Sequence, residues 1–174
     1  VNSTIGNGTA DALTKAGSGT MIIGGTNTFT GNLTINEGTI QLAGTAAATI
    51  GTTTTAGNVT AIRQGAMLDV NNSGALATPF TGATQLRTTN LGVLAGNGTL
   101  DNSSATAAAV SLGNAASTGL QNFAGIISNS GAGALTVIKN GTSASVQSLT
   151  GLNTYTGATV INNGTLQVNS RANG

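Results

Sequence analysis

Residues 26–42 read TNTFTGNLTINEGTIQL, and residues 152–168 read LNTYTGATVINNGTLQV. At an offset of 126 the two stretches share Asn27/Asn153, Thr28/Thr154, Thr30/Thr156, Gly31/Gly157, Ile35/Ile161, Asn36/Asn162, Gly38/Gly164, Thr39/Thr165 and Gln41/Gln167. Phe29/Tyr155, Ile40/Leu166 and Leu42/Val168 are conservative exchanges. Upstream, Ala12-Leu13-Thr14-Lys15-Ala16-Gly17 aligns with Ala134-Leu135-Thr136 and then, past two inserted residues, with Lys139-Asn140-Gly141. A period of roughly 125 residues is the signature of a repeat array.

Working outward, short apolar–polar alternations recur at Met21–Ile23, Leu33–Ile35, Thr39–Leu42, Val59–Ile62, Met67–Val70, Leu91–Leu94, Val110–Leu112, Gly125–Ile127, Leu135–Ile138, Thr159–Ile161 and Thr165–Val168. Gly, Asn or Ser bounds each of them, which predicts strands separated by corners. Asn-Gly occurs at 7–8, 97–98, 140–141 and 163–164, but the flanking runs do not form matched hairpin arms. Ala-rich runs at 46–48 and 105–109 are too short for helices. Very short strands, no evident hairpins and internal repetition together predict an all-β parallel β-solenoid. Its coils stack about 4.8 Å apart, with Ile35, Ile40 and Leu42 pointing inward and Thr, Asn and Gln outward. At roughly 20–25 residues per coil the chain would hold about 7–8 coils, as a single segment over 1–174.

Composition narrows the function. Charged residues make up 5 % and aromatics 2 %, while Thr (31) and Asn (20) supply most of the polarity. Thr suits a pleated surface, and Asn and Gly tolerate left-handed corners. No run approaches 18 consecutive apolar residues, so a spanning helix is excluded. Four aromatics (Phe29, Phe80, Phe123, Tyr155) cannot build the girdles of a transmembrane barrel. A net charge of +1 offers no footprint for nucleic acid. The chain opens without a basic segment followed by an apolar one, and its ends read as cuts within a longer protein.

The residues also carry a family resemblance. Lys15–Ile23, Gly25–Gly31 and Ile35–Ile40 resemble the autotransporter-associated β-strand repeat, typically TKTGxGTLTLxGxNTYTGxTTIxxGTLxV. Asn153–Gly157 and Gly164–Val168 resemble it more closely still, and Asn122–Ser128 is similar to the FSGxISG element that often precedes it. The strong matches cover about 12–43 and 122–169. Residues 139–151 depart from the pattern, with Asn-Gly-Thr-Ser-Ala-Ser-Val-Gln where tandem glycines are usual. The resemblance implies a right-handed parallel β-helix, secretion and display at a bacterial surface. It implies no single biochemical activity, and no translocator barrel lies within this sequence.

Candidate chemistry is sparse. Without His or Cys, metal sites of those ligands, thiol catalysis and a Ser–His–Asp triad are all excluded. The four acids, Asp11, Glu37, Asp69 and Asp101, are too few for a calcium ligand in every turn. An acid pair for glycoside chemistry would need Asp69 and Asp101 to meet on adjacent coils near Arg63 or Arg87. The alternative is isolated solvated charges or charges at the ends of side-chain ladders. Gly17-Ser18-Gly19-Thr20 lacks the lysine of a phosphate loop and reads as a corner. The Asn-x-Thr triplets at 7, 32, 58, 97, 140 and 163 read as corners followed by strand threonines, rather than as glycosylation sites. Thr-x-Thr pairs do not recur in each coil, as an ice-binding face would need.

Phe29 and Tyr155 occupy equivalent repeat positions, either as packing residues or as a stacking platform for glycans. The expectation is therefore a non-enzymatic structural segment with no cofactor and no metal. Its partners would be neighbouring repeats or further copies stacked end to end. Host or matrix glycans are the rival partner.

Overall fold

The computed structural model describes residues 5–6, 11–25, 27–43, 50, 58–71, 75–76, 87–113 and 118–168. Every element in them is a strand. In chain order these are β1 (Leu13–Lys15), β2 (Thr20–Ile23), β3 (Leu33–Ile35), β4 (Thr39–Leu42), β5 (Val59–Ile62), β6 (Met67–Asp69), β7 (Ala75–Leu76) and β8 (Arg87–Gly96). They continue with β9 (Thr99–Asp101), β10 (Ala108–Leu112), β11 (Gly119–Phe123), β12 (Ile126–Ile127), β13 (Leu135–Lys139), β14 (Ser145–Leu149), β15 (Thr159–Ile161) and β16 (Thr165–Val168).

The strands form three stacks, and within each stack successive coils pair in parallel. The first stack is β1-β3-β5-β8-β11-β14-β16. The second is β2-β4-β6-β9-β12. The third is β8-β10-β13-β15. Coil lengths vary: Val146 pairs with Thr165, 19 residues on, but Val59 pairs with Val93, 34 residues on. The fold is the expected parallel β-solenoid. Corners absorb the variation in length, because a longer corner leaves the strand register unchanged.

Inward-facing side chains line up as ladders. Met21, Ile40, Leu68, Leu100 and Ile127 are in register along the second stack. Ile35, Ile62, Gly96, Phe123, Leu149 and Val168 are in register along the first. Ile35, Ile40, Leu42, Ile62, Leu68, Leu100, Phe123 and Leu149 are all fully buried in one core. Burying such side chains contributes roughly 25 cal/mol per Å² of apolar surface. With almost no charge and no disulfide, this core and the backbone ladder stabilise the fold.

Two differences from the sequence expectation bear on how the stacks join. β8 is ten residues long, not a short run at Leu91–Leu94, and it serves two stacks. Its pairing with β10 slips so that Ser111 faces Asn90 and Leu112 faces Gly92. Gly92 has φ +64°, so a bulge and a glycine turn one strand from the third stack into the first. The second difference is one antiparallel contact, β7 with β8, where Ala75 faces Thr88 and Leu76 faces Arg87. Among the described residues β8 opens the third stack, and no earlier parallel strand covers that edge. A returning strand covers it instead.

Candidate functional site

The register fixes how the two repeat copies correspond. β3 and β4 match β15 and β16, so their partners β1 and β2 match β13 and β14. Leu13 therefore matches Val137, not the Leu135 that sequence alignment suggests, because Leu33 pairs with Leu13 while Thr159 pairs with Val137. The first copy runs from the first stack to the second. The second copy runs from the third stack to the first.

Both copies build the same clasp between coils. Asn27 Oδ1 accepts the Ile5 N–H at 3.0 Å, and its Nδ2 donates to Gly25 O at 3.4 Å. Asn153 Oδ1 accepts the Ile127 N–H at 2.9 Å, and its Nδ2 donates to Gly151 O at 3.1 Å. The next residue completes the joint, since Thr28 and Thr154 donate their N–H groups to Ile5 O and Ile127 O. Each asparagine thus satisfies a backbone donor on the coil below and a carbonyl on its own coil.

A lysine pins the opposite corner. Lys15 Nζ donates to the carbonyls of Ala16, Gly17 and Glu37, the last on the next coil, at 3.1, 2.6 and 3.3 Å. Lys139 Nζ donates to Asn140 O, to Ser145 Oγ at 2.7 Å and to Asn163 O, again on the next coil, at 3.5 Å. Lys139 is almost fully buried, and burial pushes its ammonium below the ordinary lysine value of 10.5. The corner it pins turns on Gly164, with φ +77°, just as the Lys15 corner turns on Gly38, with φ +66°. A Cβ at Gly38 would lie 2.5 Å from Gly19 O, and one at Gly164 would lie 2.6 Å from Ser145 O, so only glycine fits. The recurrence of Lys15/Lys139 and Asn27/Asn153 is visible in the sequence. Their roles are not, because the bonds they make depend on which corner stacks on which.

At the end of the stack the same positions meet different surroundings. Ile35 and Leu42 are 0 % exposed, while their counterparts Ile161 and Val168 are 55 % and 54 % exposed. β5 and β6 cover β3 and β4. Among the described residues no strand covers β15 and β16. The last coil therefore presents an apolar row with a strand edge beside it.

The acid pair does come together. Asp69 and Asp101 are in register at the ends of β6 and β9, and both are buried, so neither is the solvated charge that was one of the two expectations for them. Structural donors hold them. Asp69 accepts from Gln41 Nε2 at 2.7 Å, from the N–H groups of Asn71 and Ser103, and from Ser103 Oγ at 2.6 Å. Asp101 accepts from both the N–H and Oγ of Ser130 and from Ser128 Oγ at 2.7 Å. Arg63 is elsewhere, with its Nε donating to Asn36 Oδ1 at 3.0 Å. The Arg87 side chain lies outside the described residues. The carboxylates close loops onto the second stack, the ordinary way a buried charge is satisfied.

Of the two aromatic candidates, Phe29 is buried in the core. Tyr155 is half-buried against that core, with its hydroxyl 2.8 Å from Thr159 Oγ1. Of the two, only Tyr155 offers ring surface to solvent, because among the described residues no strand covers its coil.

The passenger-associated-transport-repeat model matches residues 13–42 and 137–168. Both matches begin where the strand register places the start of each copy, at Leu13 and Val137. No curated protein and no solved structure matches the chain.

Proposed function

Because this chain carries two passenger-associated-transport repeats, we propose that it is a structural segment of a secreted bacterial surface fibre or adhesin, one that continues axially by coil-on-coil stacking. The repeat implies a passenger segment that is secreted and displayed at the cell surface. The rest of the reading is supported by one observation above all. Ile161 and Val168 occupy repeat positions that a following coil buries in the first copy, and at the end of the stack they are open. Such an end favours a further coil, whether from the same polypeptide or from another copy of it.

Physical chemistry supports stiffness and inertness as the task. Few titratable groups can respond to pH, and a continuous ladder with a buried core offers few openings. The acid pair is engaged in loop closure, which supports a non-enzymatic role. The test is hydrodynamic and microscopic. Sedimentation and electron microscopy should show end-to-end assemblies that Ile161→Asp abolishes while the monomer stays folded. Monomeric particles at every concentration would reject axial joining of separate copies.

Partly exposed Tyr155 supports a second reading, a glycan-binding module. A glycan array that finds hits lost in Tyr155→Ala would favour it, and an empty array would remove it.

A further inference from the structure

We propose that Gln147 is a latch: its side-chain amide stands in for a missing stretch of strand ladder between β8 and β11 and keeps that internal edge closed to other strands.

β5 and β8 pair in parallel from Val59/Val93 to Ile62/Gly96, and the Val93 N–H donates to Asn58 O. Parallel ladders alternate their direction residue by residue. Val93 and Ala95 therefore bond toward β5, and the N–H and C=O of Leu94 point the other way, toward β11. There the ladder fails. β11 meets β8 through the single pair Phe123/Gly96, whereas it pairs with β14 along its whole length, from Gly119/Ser145 to Phe123/Leu149. Leu94 is fully buried, so a backbone amide left unpaired there would carry its full desolvation penalty.

Gln147 meets both needs. Its Oε1 accepts the Leu94 N–H at 3.2 Å, and its Nε2 donates to Leu94 O at 2.9 Å. The same Nε2 lies 3.4 Å from Gln121 O and 3.3 Å from Ser148 O. A carboxamide offering one acceptor and one donor to a single residue reproduces what a neighbouring strand would offer. The repeat register shows that this is a departure specific to the second copy. Gln147 faces Leu166 as Met21 faces Ile40, so an inward apolar position has become a polar one. Gln147 is nevertheless buried, which is tolerable only because it is bonded.

The outer face of β11 beside the gap is open to solvent. Leu120, beside it on β11, is 63 % exposed, and Gly119 and Asn122 are exposed too. Without the latch, β8 would present a bare donor and acceptor beside the Gly-Leu-Gln-Asn-Phe run of β11, which carries no charge, the kind of edge on which a second copy of this chain adds laterally.

The experiment follows Leu94. In the wild-type chain its amide should exchange slowly and show a through-hydrogen-bond scalar coupling to the Gln147 carboxamide. In Gln147→Met, of similar length but without the amide, Leu94 should exchange at least about tenfold faster. That variant should also self-associate laterally, measured in an Ile161→Asp background so that axial joining does not contribute. A folded Gln147→Met chain with unchanged Leu94 exchange overturns the latch, and a strictly monomeric one overturns its edge-closing role. Should that variant fail to fold, fast Leu94 exchange without the coupling in the wild type overturns the proposal, and slow exchange with it supports it.

Discussion

Residues 13–42 and 137–168 share one pattern and differ in what lies above them. In the first copy, β3 and β4 are roofed by β5 and β6, and Ile35, Ile40 and Leu42 are fully buried. In the second copy, the same positions sit on the last coil, and Ile161 and Val168 are more than half exposed. Corner glycine, lysine pin and asparagine clasp are reproduced in both. The repeat thus specifies a coil and the joint beneath it, while burial of its apolar row comes from the coil that follows.

The largest break in that comparison is a charge on the apolar row. Ile35→Asp should remove cooperative unfolding at ambient temperature or cost on the order of 4 kcal/mol, because an unpaired carboxylate would enter the core. In the unassembled monomer Ile161→Asp should cost less than about 1 kcal/mol, since solvent already reaches the site there. Thermal melts of the two variants read the difference. Equal losses at concentrations where the chain is monomeric would mean that the last coil is covered within the chain itself.

The clasp should behave alike in both copies. Asn27→Ala and Asn153→Ala each leave a backbone N–H of the coil below unsatisfied and should each cost about 1–3 kcal/mol. Urea unfolding measures this, and exchange of the Ile5 and Ile127 amides shows where the loss falls. A neutral Asn153→Ala would show that the joint is redundant.

The smallest effect concerns the pinned corner. Burial lowers the Lys139 pKa from 10.5, so between the folded value and 10.5 the folded chain binds fewer protons than the unfolded one. Stability from this group therefore rises with pH through that window and is lower beneath it. The urea midpoint of the wild type, relative to Lys139→Met, should climb between neutral pH and about 10.5. A flat difference would place the ammonium in water.

Much of the fold was legible in the chain. β3, β4, β5, β15 and β16 have the boundaries that alternation gives, because Gly, Asn or Ser on either side leaves the backbone little choice. β11 and β14 were not legible. Gly119–Phe123 and Ser145–Leu149 lack a clean alternation, and their register comes from each other. The bent β8 and its antiparallel neighbour β7 escaped for a similar reason, since they answer to an edge that exists only once the third stack begins. At the site, the acids' positions allowed a pair, but their burial and their serine donors depend on loops folding back over β6 and β9.

By itself, the sequence determined a parallel stack of short strands and which side chains face inward. Periodicity and corner residues act locally, and both are written in order along the chain. Only the tertiary structure decided that the copies occupy different stacks, that Phe29 is buried while Tyr155 is half open, and that Gln147 bonds a strand 53 residues away. Those outcomes depend on what each coil meets above and below it, and neighbours in space are set by coil lengths that range from 19 to 34 residues.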